Sequence, residues 1–341
     1  MPSRWRRLDT DGSAAWLRDD QGVTSSIRSP AAGVDEVGLR RLGGLDQWVM
    51  IRGADTANPP LILLHGGPGM SETGFFRRYL AALERSFTLV YWDQRGAGRS
   101  FDRDIPRASM TTGRFLADLD ELVDQVRDRL EADRVAILGH SWGSALGVLY
   151  ASRFPEKVST YVGTGQIGDW PAAEAASYEY ALKAAERAGK RRMAKKLRAI
   201  GAPPYDAAAV FTQRTCLSRL EGRMTPRALL TTFRDLLGDG QASLLDLPKN
   251  WRAFRFTMDA MWAEVSGLDL AQEAPDLRVP VYFLLGRNDH WVPPRTSVAY
   301  FEALEAPVKE LVWFERSGHE PFIDESAKFN SVMVDSVRPT L

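Results

Sequence analysis

The chain has 341 residues, 44% of them hydrophobic and 26% charged, with 28 Gly and 19 Pro dispersed along it. That composition excludes collagen-like, low-complexity and coiled-coil architectures and predicts one large domain or two smaller ones with ample core. Lys+Arg and Asp+Glu both number 44, so the formal net charge is zero and the global electrostatic footprint of a nucleic-acid-binding protein is missing.

Residues 1–30 show no sustained periodicity and read as an N-terminal extension that orders only by docking. Val34–Leu42 and Gln47–Arg52 are short strand-like runs separated by Gly43-Gly44-Leu45-Asp46, a hairpin signal. Leu61–Leu64 is a continuous apolar strand of the kind covered on both faces. It runs directly into His65-Gly66-Gly67-Pro68-Gly69. A helix is expected over Glu72–Glu84, a strand over Phe87–Trp92, and then the glycine-rich turn Asp93-Gln94-Arg95-Gly96-Ala97-Gly98-Arg99-Ser100. Apolar residues at helical spacing predict a long helix over Thr112–Leu130. Arg134–Leu138 is a further buried strand, followed by Gly139-His140-Ser141-Trp142-Gly143, a small-residue helix over Ser144–Phe154 stopped by Pro155, and the strand Val158–Gly163.

The alternation then ceases. Trp170–Ala274 reads as helical, broken at Pro203-Pro204, Pro226 and Pro248. Strands return at Val279–Leu285 and Val308–Phe314, with a helix between them and a closing helix from about Ile323. The expected fold is α/β, a mainly parallel sheet flanked by helices, with residues 31–165 and 275–341 as the core and 166–274 as a helical insertion.

The sharpest chemical signal is the G-x-S-x-G of residues 139–143 between a strand and a helix. A nucleophile on a tight strand-to-helix turn leaves no room for Cβ atoms two residues to either side, and helix N-terminal amides then face the developing oxyanion. Ser141 is the expected nucleophile. A serine needs a base, and four histidines are available. His140 adjoins the serine and should point away from it, and His65 fits a loop-bracing role. His319, in a turn just past the strand Val308–Phe314, lies where loops gather at the carboxyl edge of a sheet and is the expected base. Asp289, just past the strand Val279–Leu285, is the expected acid that orients the imidazole. His290 leaves some ambiguity about the base, and Glu315 and Glu320 read as solvated. The oxyanion donors are expected to be the N–H of Trp142 and that of Gly67 or Gly66.

Together, His65–Gly69, Asp93–Ser100 and Gly139–Ser144 resemble the proline iminopeptidase branch of the α/β-hydrolases, over Val34–Gly163 and Val279 to the end. The resemblance implies an α/β-hydrolase fold with a helical cap before the acid strand. It also implies Ser141, Asp289 and His319 as the triad and removal of N-terminal proline from a small peptide or amide. Asp93, Arg95 and Arg99 match a motif that braces the loops beneath the site. Such enzymes require cap carboxylates for the substrate ammonium, and Glu174, Glu179 and Glu264 are the candidates. The alternatives are an esterase or amidase of a small non-peptide substrate and, from a different class, a non-catalytic scaffold. Epoxide hydrolase and dehalogenase chemistry is disfavoured because those relatives carry Asp at the elbow.

Residues 171–230 carry 12 Lys+Arg against 5 Asp+Glu, and the remainder carries 32 against 39, so the neutral total conceals a basic insertion. Lys190–Arg198 lacks interleaved aromatics and reads as a solvated face or an attractor of an acidic substrate group rather than a nucleic-acid site. Trp251, Phe254, Phe256, Met258, Met261 and Trp262 read first as insertion core, with some able to line an apolar pocket. The lone Cys216 excludes an intramolecular disulfide and a cysteine-based metal cluster, and no metal or cofactor motif is read. Leu8–Asp20 is too polar for a signal peptide and no run reaches the ~20 apolar residues of a membrane span, so a cytoplasmic location is expected.

Overall fold

The structure, a computed structural model, describes residues 6–7, 33–236 and 246–341. The expected extension over 1–30 therefore lies outside the described residues, except for the short strand β1 (Arg6–Arg7). The hairpin forms from β2 (Val34–Leu42) and β3 (Leu45–Gly53), paired antiparallel with Leu42 opposite Leu45. Its loop is tighter than expected, two residues only, because Gly43 and Gly44 both adopt positive φ (54° and 77°) and supply the twist that adjoining strands require.

The parallel part comprises β4 (Pro60–Leu64), β5 (Thr88–Trp92), β6 (Val135–His140), β7 (Val158–Thr164), β8 (Val281–Gly286) and β9 (Lys309–Phe314). The sheet order is β1-β2-β3-β5-β4-β6-β7-β8-β9, with β3 antiparallel to β5 and every pair from β5 to β9 parallel. Residues of β4 and β6 are buried throughout, as expected of strands covered on both faces. The order in which strands are added turns back at β4, whose neighbours β5 and β6 follow it in sequence on opposite sides, so the crevice beyond its carboxyl end is a topological switch point.

Helices α1 (Thr73–Tyr79), α2 (Thr112–Leu130) and α3 (Trp142–Arg153) lie in the first half. The helix expected over Glu72–Glu84 is interrupted: α1 ends at Tyr79 and a 3₁₀ turn covers Ala81–Arg85. Leu80 and Leu83 are both fully buried, and the tighter turn aligns residues three apart on one face. Between β7 and β8 lie α4 (Trp170–Arg187), α5 (Arg191–Ile200), α6 (Ala207–Leu220), α7 (Pro226–Leu236), α8 (Leu247–Val265) and α9 (Leu270–Glu273), and no strand among the described residues. The chain closes through α10 (Pro294–Ala303), β9, α11 (Pro321–Asp324) and α12 (Ser326–Val332). No helix among the described residues is long and apolar enough to cross a membrane.

The glycine-rich turn after β5 is braced by charge. Arg95, 1% exposed, donates to both carboxylate oxygens of the fully buried Asp118 on α2 (2.7 and 3.0 Å) and to the Gly43 carbonyl at 2.9 Å. Gln47 (2.7 Å) and Arg114 (2.8 Å) also donate to Asp118. Asp118→Ala would strand a buried guanidinium, so it is expected to cost about 3–5 kcal/mol in urea unfolding. A loss below about 1 kcal/mol would show that solvent replaces the carboxylate.

Candidate active site

Register brings the chemistry to one edge. Leu64 pairs with Gly139, His140 with Thr164, and Gly286 with Phe314, so the loops after β4, β6, β8 and β9 leave the sheet side by side. Ser141 follows β6 immediately, its N–H donating to the Thr164 carbonyl at 3.0 Å, and α3 begins at the next residue. Ser141 holds φ 53° and ψ −120°, a costly conformation for a residue with a side chain. The flanking glycines are required by contact: a Cβ on Gly143 would stand 2.1 Å from the Leu64 carbonyl oxygen, and one on Gly139 would stand 2.3 Å from the Gly143 carbonyl oxygen.

Ser141, His140 and His319 share the wall of a cavity of about 240 Å³ between the sheet edge and the helical insertion. The His319 Nδ1 lies 2.8 Å from Asp289 Oδ2, and both side chains are buried. Asp289 Oδ1 accepts the N–H groups of Trp291 (2.8 Å) and Val292 (2.9 Å), which fixes the carboxylate plane. The Trp291 indole lies over the His319 ring at 5.8 Å and 14°. The four histidines separate by environment. His290 stacks on Tyr180 of α4 at 3.6 Å and is absent from the cavity wall, so it does not compete with His319. His65 takes the bracing place: Nε2 accepts the Gln94 N–H at 3.0 Å, Nδ1–H donates to the Gly66 carbonyl at 2.9 Å, and burial lowers its pKa.

Of the two glycines considered for the oxyanion contact, Gly67 lines the cavity. The Gly66 N–H is instead given to Glu72 Oε2 at 2.9 Å, which removes Gly66 as a donor to substrate. Trp142 is the first residue of α3, so its N–H has no partner within the helix.

The three candidate carboxylates of the insertion part company. Glu174 lines the cavity, 3% exposed, with Oε1 on Arg214 and Oε2 buried without a hydrogen-bond partner among the described residues. Burial pushes its carboxyl up, against the pull of Arg214. Glu179, five residues on, emerges on another face of α4, exposed and paired with Lys183, so it does not reach the cavity. Glu264 accepts the Thr112 N–H at 2.9 Å, where it caps α2 instead of facing substrate.

Two acidic residues at the wall escape sequence reasoning. Glu72 is buried against His140, and its only local signal is its place just beyond the His-Gly-Gly loop. Glu320, expected to be solvated, instead lines the cavity and binds Arg223 of the insertion at 2.5 Å. Burial alone would raise the Glu320 carboxyl, but Arg223 outweighs it and holds the group down at about 2. Glu315 is exposed and bonded to Arg287. The aromatic run divides between the two places expected for it: Trp251, Phe254, Met258 and Trp262, spaced along one face of α8, form cavity wall, Met258 and Trp262 also belonging to the core, whereas Phe256 packs on Phe101 and Met261 is core alone. None of Lys190–Arg198 lines the cavity, so that run does not touch a group bound beside Ser141.

A family model described as alpha/beta hydrolase fold matches residues 59–326. A probable aminopeptidase of Bacillus subtilis, YbaC, is 31% identical over 296 residues, covering 86% of this chain and 93% of that protein. A proline iminopeptidase of Heyndrickxia coagulans is 26% identical over 291 residues, covering 81% and 89%. The crystal structure of a proline iminopeptidase-related protein from Thermus thermophilus superposes with TM-score 0.64 at 22% identity, over 90% of this chain and all of that one.

Proposed function

The chain belongs to the α/β-hydrolase fold family, and from that membership we propose that it is a serine hydrolase releasing the N-terminal residue of a small peptide or amide. The observation that carries the reading is the strained Ser141 on the wall of the same cavity as His319, whose ring is held by Asp289 at 2.8 Å. In this reading His319 Nε2 takes the Ser141 proton as the oxygen attacks the substrate carbonyl. The N–H groups of Trp142 and Gly67 receive the oxyanion, and Asp289 stabilises the imidazolium. His319 then returns the proton to the leaving amine, and water attacks the acyl-enzyme by the same route in reverse.

Glu174 supports the choice of a substrate with a free amine. Its Oε2, without a hydrogen-bond partner among the described residues, is a buried acceptor on the cavity wall, and an ammonium is the group that satisfies it best. The helical insertion would then act as the cap that admits one small residue. An ester or amide lacking the amine is the second reading, favoured by Arg214, which already pairs with Glu174, and by the aromatic wall of α8.

Turnover of prolyl p-nitroanilide, its N-acetylated form and short p-nitrophenyl esters separates the two. The expected result is preference for the free amine, with Glu174→Gln raising KM for that substrate by about 10–100-fold, the worth of one charge-assisted hydrogen bond. KM for the acetylated form and the esters should not change. Equal use of free and acetylated substrates, unchanged by Glu174→Gln, would transfer the assignment to the second reading.

A further inference from the structure

His140, the residue before the nucleophile, has both ring nitrogens committed. Nδ1 lies 2.9 Å from each Glu72 carboxylate oxygen, and Nε2 lies 3.2 Å from the His319 carbonyl oxygen. Both partners accept, so the ring satisfies both only by donating from both nitrogens, which is the imidazolium form. Its pKa is moved accordingly: burial works to lower it, and the adjacent Glu72 carboxylate overcomes that and raises it. Glu72 and His140 are 3% and 2% exposed, so the two charges are largely withdrawn from bulk solvent and attract each other more strongly than they would at the surface.

The same carboxylate reaches a third element. Glu72 Oε2 accepts the Gly66 N–H at 2.9 Å, which fixes the His65–Gly66 peptide, one before the peptide that carries the Gly67 N–H. At the other end, the His140 contact grips the backbone of His319, whose side chain is gripped separately by Asp289. The rings of His140 and His319 are 4.7 Å apart, and His140 also packs edge-on against Phe322 at 5.2 Å. One buried ion pair thus joins the loop after β4, the nucleophile turn and the loop after β9.

We propose that Glu72 and His140 are positioning residues that set the oxyanion-donor loop and the general-base loop in register with Ser141. The proposal rests on the serine-hydrolase reading above. Neither residue exchanges a proton with substrate in this role; the pair holds two backbones whose displacement by an ångström would misalign the base and the oxyanion donor together.

The test uses the full-length protein with prolyl p-nitroanilide and p-nitrophenyl acetate as substrates and a fluorophosphonate as the serine probe. Glu72→Ala is expected to lower kcat about 100-fold with KM changed less than about threefold, the pattern of lost alignment rather than lost binding. Because Glu72 lines the cavity, added formate should restore part of the kcat of Glu72→Ala while leaving wild type unchanged. Glu72→Gln keeps the volume should the alanine variant not fold. Its carbonyl oxygen can take the Oε2 place but carries no charge to keep the His140 ring doubly protonated, and a neutral imidazole can donate to only one of the amide oxygen and the His319 carbonyl, so kcat should again fall while the thermal midpoint stays near that of wild type. Wild-type kcat in Glu72→Gln, or a kcat loss in Glu72→Ala that formate does not restore, overturns the positioning role. If wild type hydrolyses neither substrate and the probe leaves Ser141 unlabelled, the serine-hydrolase reading fails and the positioning role falls with it.

Discussion

Ser141→Ala is expected to reduce kcat about 10⁶-fold, a loss of roughly 8 kcal/mol in transition-state stabilisation, and to abolish labelling by a fluorophosphonate. The magnitude follows from what remains: without the oxygen nucleophile, His319 can only activate water, and the residual rate comes from binding and the oxyanion donors. Stability should barely move. Alanine meets the same positive φ of 53° that serine already tolerates, and the change deletes a single oxygen on the cavity wall. Mass spectrometry of the labelled protein, steady-state turnover and a thermal melt check the three parts. Persistent labelling of the alanine variant, with turnover within tenfold of wild type, would place the nucleophile elsewhere.

Asp289→Asn is expected to lower kcat about 10⁴-fold with little change in melting temperature, for a reason visible in the hydrogen bonds. Oδ1 of Asp289 accepts two backbone N–H groups, from Trp291 and Val292, so the asparagine oxygen must remain there. The amide NH₂ then takes the place of Oδ2, 2.8 Å from His319 Nδ1. Two donors would face each other unless the ring moved its proton to Nε2, and a protonated Nε2 cannot accept from Ser141. The opposite amide orientation would set NH₂ against both backbone donors. The variant should therefore fold normally and hold the wrong tautomer. Activity within tenfold of wild type would mean that another group orients the base. Glu320 is the nearest alternative by sequence, but its carboxylate is engaged by Arg223.

Much of the site was legible because its requirements are local. A serine on a strained strand-to-helix turn needs small neighbours two residues away, and Gly139 and Gly143 record that need in the chain itself. Apolar runs ending in Gly-rich or Asp/His-bearing loops mark the carboxyl ends of parallel strands, so Asp289 and His319 could be named from the pattern around β8 and β9. Helix α2 was equally readable, since its buried residues recur at the helical period over the whole of Thr112–Leu130.

The carboxylates were harder, since what a glutamate does depends on which cation reaches it. Glu174 and Glu179 sit on one helix, yet one faces the cavity and Arg214 while the other faces solvent and Lys183, a difference of rotation about the α4 axis. Glu320 looks like a loop acid beside His319 until Arg223 arrives from the insertion, about a hundred residues away in sequence, and closes over it. Glu72 shows no periodic or compositional mark of its pairing with His140.

Local spacing is enough for the α/β alternation, the place of the helical insertion and the three residues offered as nucleophile, acid and base, because glycine sterics and hydrophobic period act over a few neighbouring residues. Which glycine lines the cavity, which face of α8 forms its wall and which cation neutralises each buried carboxylate follow only from the packed chain. Those outcomes depend on strand register and helix rotation, which arise when distant segments pack and leave no trace in local spacing.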